Sequence, residues 1–289
     1  MKRFMIILSA VILFDCTQKP GGPSDTPTSG SIKIAVDESL RPLFEAEISA
    51  FQGIYHNASI TPMYVPEAEA VQLLIADSVR LAVITRSLTT DEKKQITDQK
   101  ISPHESKVAR EGIALIVNKS NNDTLWDMEK VKRVLSGNDY KVVFDNNNSG
   151  IARVMQDSIL KMDLVNAYAV QTNKEVIDYV TDNPNSVGFI GASWISDKDD
   201  SLSNHFLESI RVVGLEHNNE FYQPYQAYIA QRLYPLTRSV VINSREPRSG
   251  LGTGFTSFVA GDKGQRIVLK AGLVPVTMPV RIVQITKEL

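Results

Sequence analysis

Short apolar runs alternate with amphipathic segments along the first half of this chain, and this alternation constrains the fold most. Residues 31–36, 60–65 and 80–84 are predicted strands, and the segments between them carry apolar residues at helical spacing. Residues 112–118 and 186–190 are further predicted strands. Such an alternation is typical of α/β architecture with mainly parallel strands.

Polar residues follow three predicted strands at the point where a helix begins: 37–39, 85–87 and 145–150. In open α/β sheets, ligands bind at the carboxyl ends of the strands. The stretch 145–150 is either a polar loop in which Ser149 caps a helix or an anion site, because a helix N-terminus presents unpaired backbone N–H groups. The stretch alone leaves both interpretations open.

Three predictions concern the second half of the chain. Residues 226–242 are predicted to be an extended run that brings the chain back toward its first half. Residues 249–255 contain three glycines, but their spacing does not fit a dinucleotide-binding motif, so a flexible loop is predicted. Residues 255–272 are predicted to form one long helix.

The first 31 residues have the composition of an export signal followed by a tether. Lys2 and Arg3 precede an apolar run at 4–14, which is too short to span a bilayer and fits a signal peptide. Cys16 follows at a position that resembles the lipobox of bacterial lipoproteins, although Asp15 stands where a small residue is usual. We therefore expect a signal segment at 1–16, lipidation at Cys16 and a flexible tether at 17–31. The alternatives are an ordinary signal peptide and an uncleaved anchor.

Composition excludes several classes of function. A net charge of −2 gives no reason to expect nucleic acid as a partner. The four histidines are scattered without metal-binding spacing, so neither a metal nor a cofactor is predicted. No Gly-x-Ser-x-Gly motif is present and the only cysteine lies at the N-terminus, so the chain is not predicted to be an enzyme. The folded part is too long for one typical core and suggests two domains.

Near the C-terminus, the sequence resembles the closing helix of bacterial extracellular solute-binding proteins. It is most similar to the phosphate-binding proteins of phosphate ABC transporters, particularly a lipoprotein branch of Bacteroides-type bacteria; the residues concerned are Phe255, Phe258, Gly264, Gln265, Gly272 and Pro275. This resemblance implies a two-lobed Venus-flytrap fold that closes on an oxyanion. Lobe 1 would comprise 32–116 and 234–289, lobe 2 would comprise 117–233, and the hinge crossings would lie near 112–118 and 226–242.

The resemblance also implies which residues bind the anion: Ser39 and Leu40 in the first turn, Thr85, Arg86 and Ser87 in the second, and Ser149, Gly150 and Ile151 at a helix start. Arg86 stands where the family has Asp, and Asp145 stands where the family has Arg. This exchange either keeps one cation and one carboxylate beside the anion or marks a different ligand. We expect Arg86 to clamp the anion and Asp145 to accept the proton that phosphate, unlike sulfate, retains.

The sequence therefore predicts a monomeric, non-catalytic lipoprotein of the periplasm, tied to the membrane only through its lipid. It would capture phosphate or a similar oxyanion and deliver it to an ABC permease. The alternatives are a secreted α/β hydrolase and a sensor or adhesion lipoprotein that kept the fold without transport. Binding measurements with anions separate the first alternative from the prediction.

Overall fold

The structure is a computed structural model, and it describes residues 25–137, 139–164 and 167–277. Its strands are β1 (Gly30–Asp37), β2 (Ala58–Val65), β3 (Leu81–Ile84), β4 (His104–Asn118), β5 (Leu125–Trp126), β6 (Lys141–Phe144), β7 (Ala167–Ala169), β8 (Ser186–Gly191), β9 (Ile210–Val212), β10 (Gly214–His217), β11 (Glu220–Tyr222), β12 (Thr237–Ser244) and β13 (Val274–Pro275).

The helices complete the α/β pattern. They are α1 (Arg41–Ile54), α2 (Glu67–Ile75), α3 (Thr90–Thr97), α4 (Met128–Ser136), α5 (Gly150–Val154), α6 (Asn173–Asp182), α7 (Ser193–Ser196), α8 (Ser201–Ser209), α9 (Gln226–Ala230), α10 (Leu251–Ala260) and α11 (Asp262–Lys270). A 3₁₀ turn, Glu38–Leu40, precedes α1, and a π-helical turn, Met155–Leu160, continues α5. None of the helices in the described part of the chain is both long enough and apolar enough to cross a membrane.

One ten-stranded sheet runs through the molecule in the order β2-β1-β3-β12-β4-β8-β6-β7, with β9 and β13 also paired to β4. β1 pairs in parallel with β2 and β3, and β6 pairs in parallel with β7 and β8. Between these two groups, β12 and β4 pair antiparallel to each other and to their outer neighbours. The two parallel groups therefore run in opposite directions, and their carboxyl ends converge at the middle of the sheet. A second sheet has the order β11-β10-β5.

The hydrophobic core is divided in the same way as the sheet. The half that contains β1–β3, called lobe 1, buries apolar residues up to Ala109 and again from Val240 onward. The half that contains β6–β8, called lobe 2, buries apolar residues between Ile113 and Leu236. The structure is thus two-lobed and α/β, as predicted. The lobe boundaries given above, at 116/117 and 233/234, stay a prediction.

Three local predictions are wrong. The run 226–242 is not extended throughout, because its first residues form α9, which places Ile229 under Gly112 of β4. The single closing helix is two helices, α10 and α11, since Gly261 adopts an extended conformation and caps both of them. Of the predicted loop 249–255, residues 251–255 form the first half of α10.

The glycines of α10 allow the N-terminal residues of the described chain to pack against this helix. A β-carbon at Gly254 would overlap the carbonyl oxygen of Pro27. Asp25 accepts a hydrogen bond from the Leu251 amide at 2.8 Å and forms an ion pair with Arg248. The end of the predicted tether is therefore part of the folded structure. Cys16 and residues 17–24 lie outside the described residues, so their predicted roles stay predictions.

Candidate functional site

The carboxyl end of β1 forms the first wall of the cleft between the lobes. Asp37 ends β1 and is completely buried. Its Oδ1 accepts a hydrogen bond from the Ser39 amide at 3.0 Å and a second, short bond from the Ser39 hydroxyl. These bonds begin the 3₁₀ turn, because an aspartate at this position satisfies amides that the turn leaves free. The turn presents Ser39 at the base of the cleft.

The carboxyl end of β3 contributes a second group of polar residues. Thr85 donates its amide, at 2.9 Å, and its hydroxyl, at 2.5 Å, to Oε2 of Glu67, the first residue of α2. Arg86 binds Glu92 through both terminal nitrogens, at 2.7 and 2.8 Å, and donates its Nε to Glu67 at 3.2 Å. From lobe 2, Arg153 donates to Glu67 at 2.5 Å. Glu67 therefore connects the two lobes.

The start of α5 in lobe 2 touches lobe 1 directly. Ser149 caps the helix, and the Gly150 amide donates to Oδ2 of Asp37 at 3.1 Å. A β-carbon at position 150 would lie 2.7 Å from Oε2 of Glu67 and 2.8 Å from Oδ2 of Asp37, and closer still to Oγ1 of Thr85. Only glycine lets the two lobes approach this closely. The helix N-terminus thus binds a carboxylate of the opposite lobe, as its partial positive charge favours.

Asp145 and Asn173 form the part of the cleft that belongs to lobe 2. Asp145 follows β6, is buried, and accepts a hydrogen bond from the Asn173 side chain at 3.0 Å. Asn173 begins α6 and also donates its amide and side-chain nitrogens, both at 2.8 Å, to Glu38 of lobe 1. A single asparagine therefore holds two carboxylates from opposite sides of the cleft.

Arg238 of β12 and Glu111 of β4 lie at the base of the cleft, where the chain crosses between the lobes. Arg238 donates to Glu111 through its Nε, at 3.0 Å, and through its Nη2, at 2.7 Å. The same Nη2 donates to the Ser39 hydroxyl at 2.7 Å. The other oxygen of Glu111 accepts from the Ser193 hydroxyl at 2.8 Å, and nearby Trp194 donates its Nε1 to the Ser39 carbonyl at 3.0 Å.

Burial changes the pKa values of the carboxylates in the cleft. Burial, together with the neighbouring Asp37, raises the pKa of Asp145 to about 7. Burial also raises the pKa of Asp37 and that of Glu38. Burial acts in the same direction on Glu67, but hydrogen bonds and charge from Arg153 outweigh it and hold the pKa of Glu67 below its usual value. The cleft therefore contains carboxyl groups that keep protons at higher pH than usual and one carboxylate that stays ionised.

Comparison with known proteins identifies the family. The profile of the PBP superfamily domain matches residues 21–263 of the chain. The chain belongs to this superfamily. Among curated relatives of this PBP superfamily member, the phosphate-binding protein PstS of Staphylococcus epidermidis is 22% identical over 280 residues, which cover 90% of this chain and 84% of the relative. The phosphate-binding protein PstS of Staphylococcus aureus strain COL is also 22% identical and covers 89% of this chain and 82% of its own length.

Solved structures of the same fold extend this comparison. A Clostridium perfringens protein solved with bound phosphate superposes with a TM-score of 0.73 at 22% identity, covering 86% of this chain and 100% of its own. An ABC-type phosphate transport receptor from Vibrio cholerae gives a TM-score of 0.62 at 18% identity, covering 85% and 100% of the two chains. At sequence identities this low, the structural likeness shows only that this chain has the same two-lobed fold.

The structure places most of the predicted site residues around the cleft of this superfamily member. Ser39, Thr85, Ser149, Gly150 and Asp145 lie on converging turns, as the contacts above describe. Leu40 and Ile151 are the two apolar residues of the predicted site. Their side chains are buried in the hydrophobic cores of lobe 1 and lobe 2 instead. The predicted residues of the second turn differ, because Ser87 is exposed and Arg86 is bound to carboxylates of its own lobe. Whether these residues bind an anion stays a prediction.

Sequence reasoning missed several residues of the cleft: Glu38, Glu67, Glu111, Arg153, Asn173, Trp194 and Arg238. Two of them left a signal in the sequence. Glu111 directly precedes the apolar strand 112–118, and Arg238 lies inside the run 234–242, which is otherwise mostly apolar. A charged residue in a predicted buried strand needs a partner, so these two residues could have been proposed as a pair.

Proposed function

We propose that this chain is a non-catalytic substrate-binding protein that captures phosphate between its lobes and delivers it to an ABC permease. The observation that carries this proposal is the bond between the Gly150 amide of lobe 2 and the Asp37 carboxylate of lobe 1. The amide thus binds a carboxylate oxygen of Asp37 at the point where the two lobes meet, which is also where strand ends and a helix start converge. An oxygen of a captured anion could be bound in the same way. The relatives whose names include phosphate binding support phosphate as the anion.

The groups proposed to bind phosphate are neutral donors and one carboxyl group. The Gly150 amide and the hydroxyls of Ser39, Thr85 and Ser149 supply donors for phosphate oxygens. Asp145, whose pKa is raised to about 7 by burial, supplies a carboxyl group next to them. Near neutral pH, phosphate keeps a proton that an ionised carboxylate can accept, whereas sulfate has none and would leave that carboxylate facing a second negative charge.

Isothermal titration of the full-length chain with phosphate, sulfate and molybdate tests the proposal. We expect saturable binding of phosphate and at least a tenfold lower affinity for sulfate, which corresponds to about 1.4 kcal/mol. No heat with phosphate, under conditions where circular dichroism shows a folded protein, would contradict the proposed ligand. Binding of sulfate or molybdate in preference to phosphate would replace phosphate by that anion.

We infer further that the protein works outside the cytoplasmic membrane and is tied to it through a lipid on Cys16. The basic start, the short apolar run and the cysteine that follows support this inference. Replacing Cys16 by Ser should move the protein from the membrane fraction to the soluble fraction while leaving its circular dichroism spectrum unchanged. The substitution Ser9→Ala within the apolar run serves as the matched control. A Cys16→Ser protein that resists a carbonate wash would argue for an uncleaved anchor.

A further inference from the structure

The guanidinium group of Arg238 is only partly bonded. Its side chain is 1% exposed, and two of its nitrogens bind Glu111 and Ser39. The third nitrogen, Nη1, is buried and finds no acceptor among the residues that the structure describes. A buried charged donor without a partner costs more free energy than an ordinary unpaired polar group. Such a group in a binding cleft indicates a partner supplied by the ligand.

The surroundings of Arg238 place it at the ligand position. Its Nη2 donates to the hydroxyl of Ser39. That hydroxyl in turn donates to Asp37, which also accepts from the Gly150 amide. The negative charges of Asp37 and Asp145, one from each lobe, both raise the pKa of Arg238. Arg238 therefore lies between the carboxyl ends of β1 and β6, on a strand that joins the lobes.

Arg86 and Arg153 also reach the cleft, but both are held there by carboxylate partners. Arg86 binds Glu92 with both terminal nitrogens and Glu67 with its Nε. Arg153 binds Glu67 and the Thr85 hydroxyl. Both side chains are also more exposed than that of Arg238, at 22% and 30%. An anion would have to break bonds to Glu67 and Glu92 to use Arg86, and Arg153 is the most exposed of the three arginines, whereas Nη1 of Arg238 is buried and has no acceptor among the described residues.

We propose that Arg238 is the cation that binds the captured anion, with Nη1 donating to one of the anion's oxygens. Glu111 is a positioning residue, because its carboxylate holds the other edge of the guanidinium group in place. The proposal rests on the proposed function and names the charged residue of that same site. It also explains how the site keeps a cation although Asp145 stands at the position where the resemblance places an arginine.

The test uses a paired substitution, since removing Arg238 alone would leave the buried charge of Glu111 without its partner. In the double variant Glu111→Gln/Arg238→Met, both charges are removed, and the glutamine still offers an oxygen to Ser193. Arg245→Met is the matched control, because Arg245 is as buried as Arg238, directly follows β12, and binds the carbonyls of Leu74 and Ile75 instead of the cleft. Urea unfolding establishes that each variant is folded before titration.

We expect the double variant to bind phosphate at least about 100-fold more weakly than the wild type, as found when a buried charged hydrogen bond is lost. The phosphate affinity of the conservative variant Arg238→Lys should lie between those of the wild type and the double variant, since lysine keeps the charge but lacks the planar guanidinium group. Arg245→Met should bind phosphate within about threefold of the wild type despite its lower stability, in line with independent distant sites.

Other outcomes overturn the inference. If the folded double variant binds phosphate as tightly as the wild type, Arg238 is not the ligand's cation, although the proposed function stands. If Arg86→Gln loses binding while the Arg238 variants keep it, the cation is Arg86, as the sequence predicted. If the wild type binds no phosphate, both the proposed function and this inference are wrong.

Discussion

Replacing Gly150 by Ala should separate the two lobes without harming either of them. The three atoms nearest the new β-carbon would all belong to lobe 1: Oγ1 of Thr85, Oε2 of Glu67 at 2.7 Å and Oδ2 of Asp37 at 2.8 Å. Ordinary contact begins at 3.4 Å, and hydrogen bonds hold these three atoms in place, so we expect the lobes to move apart by at least 0.7 Å. Inside lobe 2, position 150 is the first residue of α5, where alanine suits a helix better than glycine. The substitution therefore acts on closure and not on folding.

The size of the effect follows from the bonds that join the lobes. A separation of 0.7 Å along the bond between the Gly150 amide and Asp37 lengthens it from 3.1 Å to about 3.8 Å, beyond the range of a hydrogen bond. A hydrogen bond to a charged group contributes about 1.5–3 kcal/mol. If the Gly150 amide donates to phosphate in the closed cleft, the same displacement lengthens that bond, and the affinity for phosphate should fall by roughly 10- to 100-fold.

Trp194 provides the assay, because its indole belongs to lobe 2 and donates to the Ser39 carbonyl of lobe 1. Opening of the lobes should expose this indole, shift its emission to longer wavelength and increase its quenching by acrylamide. The other tryptophan, Trp126, is fully buried within the core of lobe 2 and should not respond. Titration with phosphate on the same samples then measures the loss of affinity.

Gly53→Ala is the matched control. Gly53 lies in α1, and no neighbouring atom lies within 4 Å of the position that its β-carbon would take. This variant should gain about 0.5–1 kcal/mol of helix stability and leave the emission of Trp194 unchanged. Should Gly150→Ala show wild-type emission, quenching and phosphate affinity, the lobes in solution do not meet at Gly150, and the reasoning fails.

Three further predictions concern single side chains. Burial raises the pKa of Asp145 to about 7, so the stability that this group contributes is lost as pH rises from about 4 through 7. Asp145→Asn should therefore stabilise the protein above pH 7, as measured by urea unfolding. The same variant should narrow the difference between the affinities for phosphate and sulfate in titration. Burial also raises the pKa of Glu47 to about 9, so Glu47→Gln should remove a loss of stability between about pH 4.5 and 9, whereas Glu45→Gln at an exposed position should not. Gly254→Ala should displace Pro27, and we expect faster hydrogen exchange at residues 25–30 as a result. Unchanged exchange at these residues would contradict the packing of Pro27 against Gly254.

The sequence predicted those parts of the fold whose signals are local. The turn between β6 and α5 was found because a run of turn-forming residues separates an apolar strand from a helical pattern, and Ser149 caps that helix, which is one of the two interpretations that the sequence left open. The two closing helices were merged because the apolar spacing continues across Gly261, and spacing alone does not report a break of the backbone there. α9 was missed because a helix of five residues is too short to show a period.

The partners of charged side chains could not be predicted in the same way. Arg238 and Glu111 are 127 positions apart, and they meet only because β12 and β4 pair antiparallel. The resemblance assigned Arg86 and Asp145 to two turns beside the cleft but could not show that Glu92 binds the guanidinium group of Arg86. Contacts of this kind depend on the register of distant strands, which a single sequence does not encode locally.

The bond between Asp37 and Gly150 has a consequence for affinity. An anion that uses the Gly150 amide must take it from Asp37, so the closed cleft and the anion compete for the same donor. Only the fraction of molecules in which the lobes are apart can admit the anion, and the apparent affinity falls by that fraction. The Gly150 amide keeps an acceptor in both arrangements, so closure without an anion leaves no unpaired donor at this position. Nη1 of Arg238 differs, because no described residue accepts a hydrogen bond from it in the closed cleft. The free energy that favours binding of the anion over the bond to Asp37 should therefore come from the new hydrogen bond to Arg238.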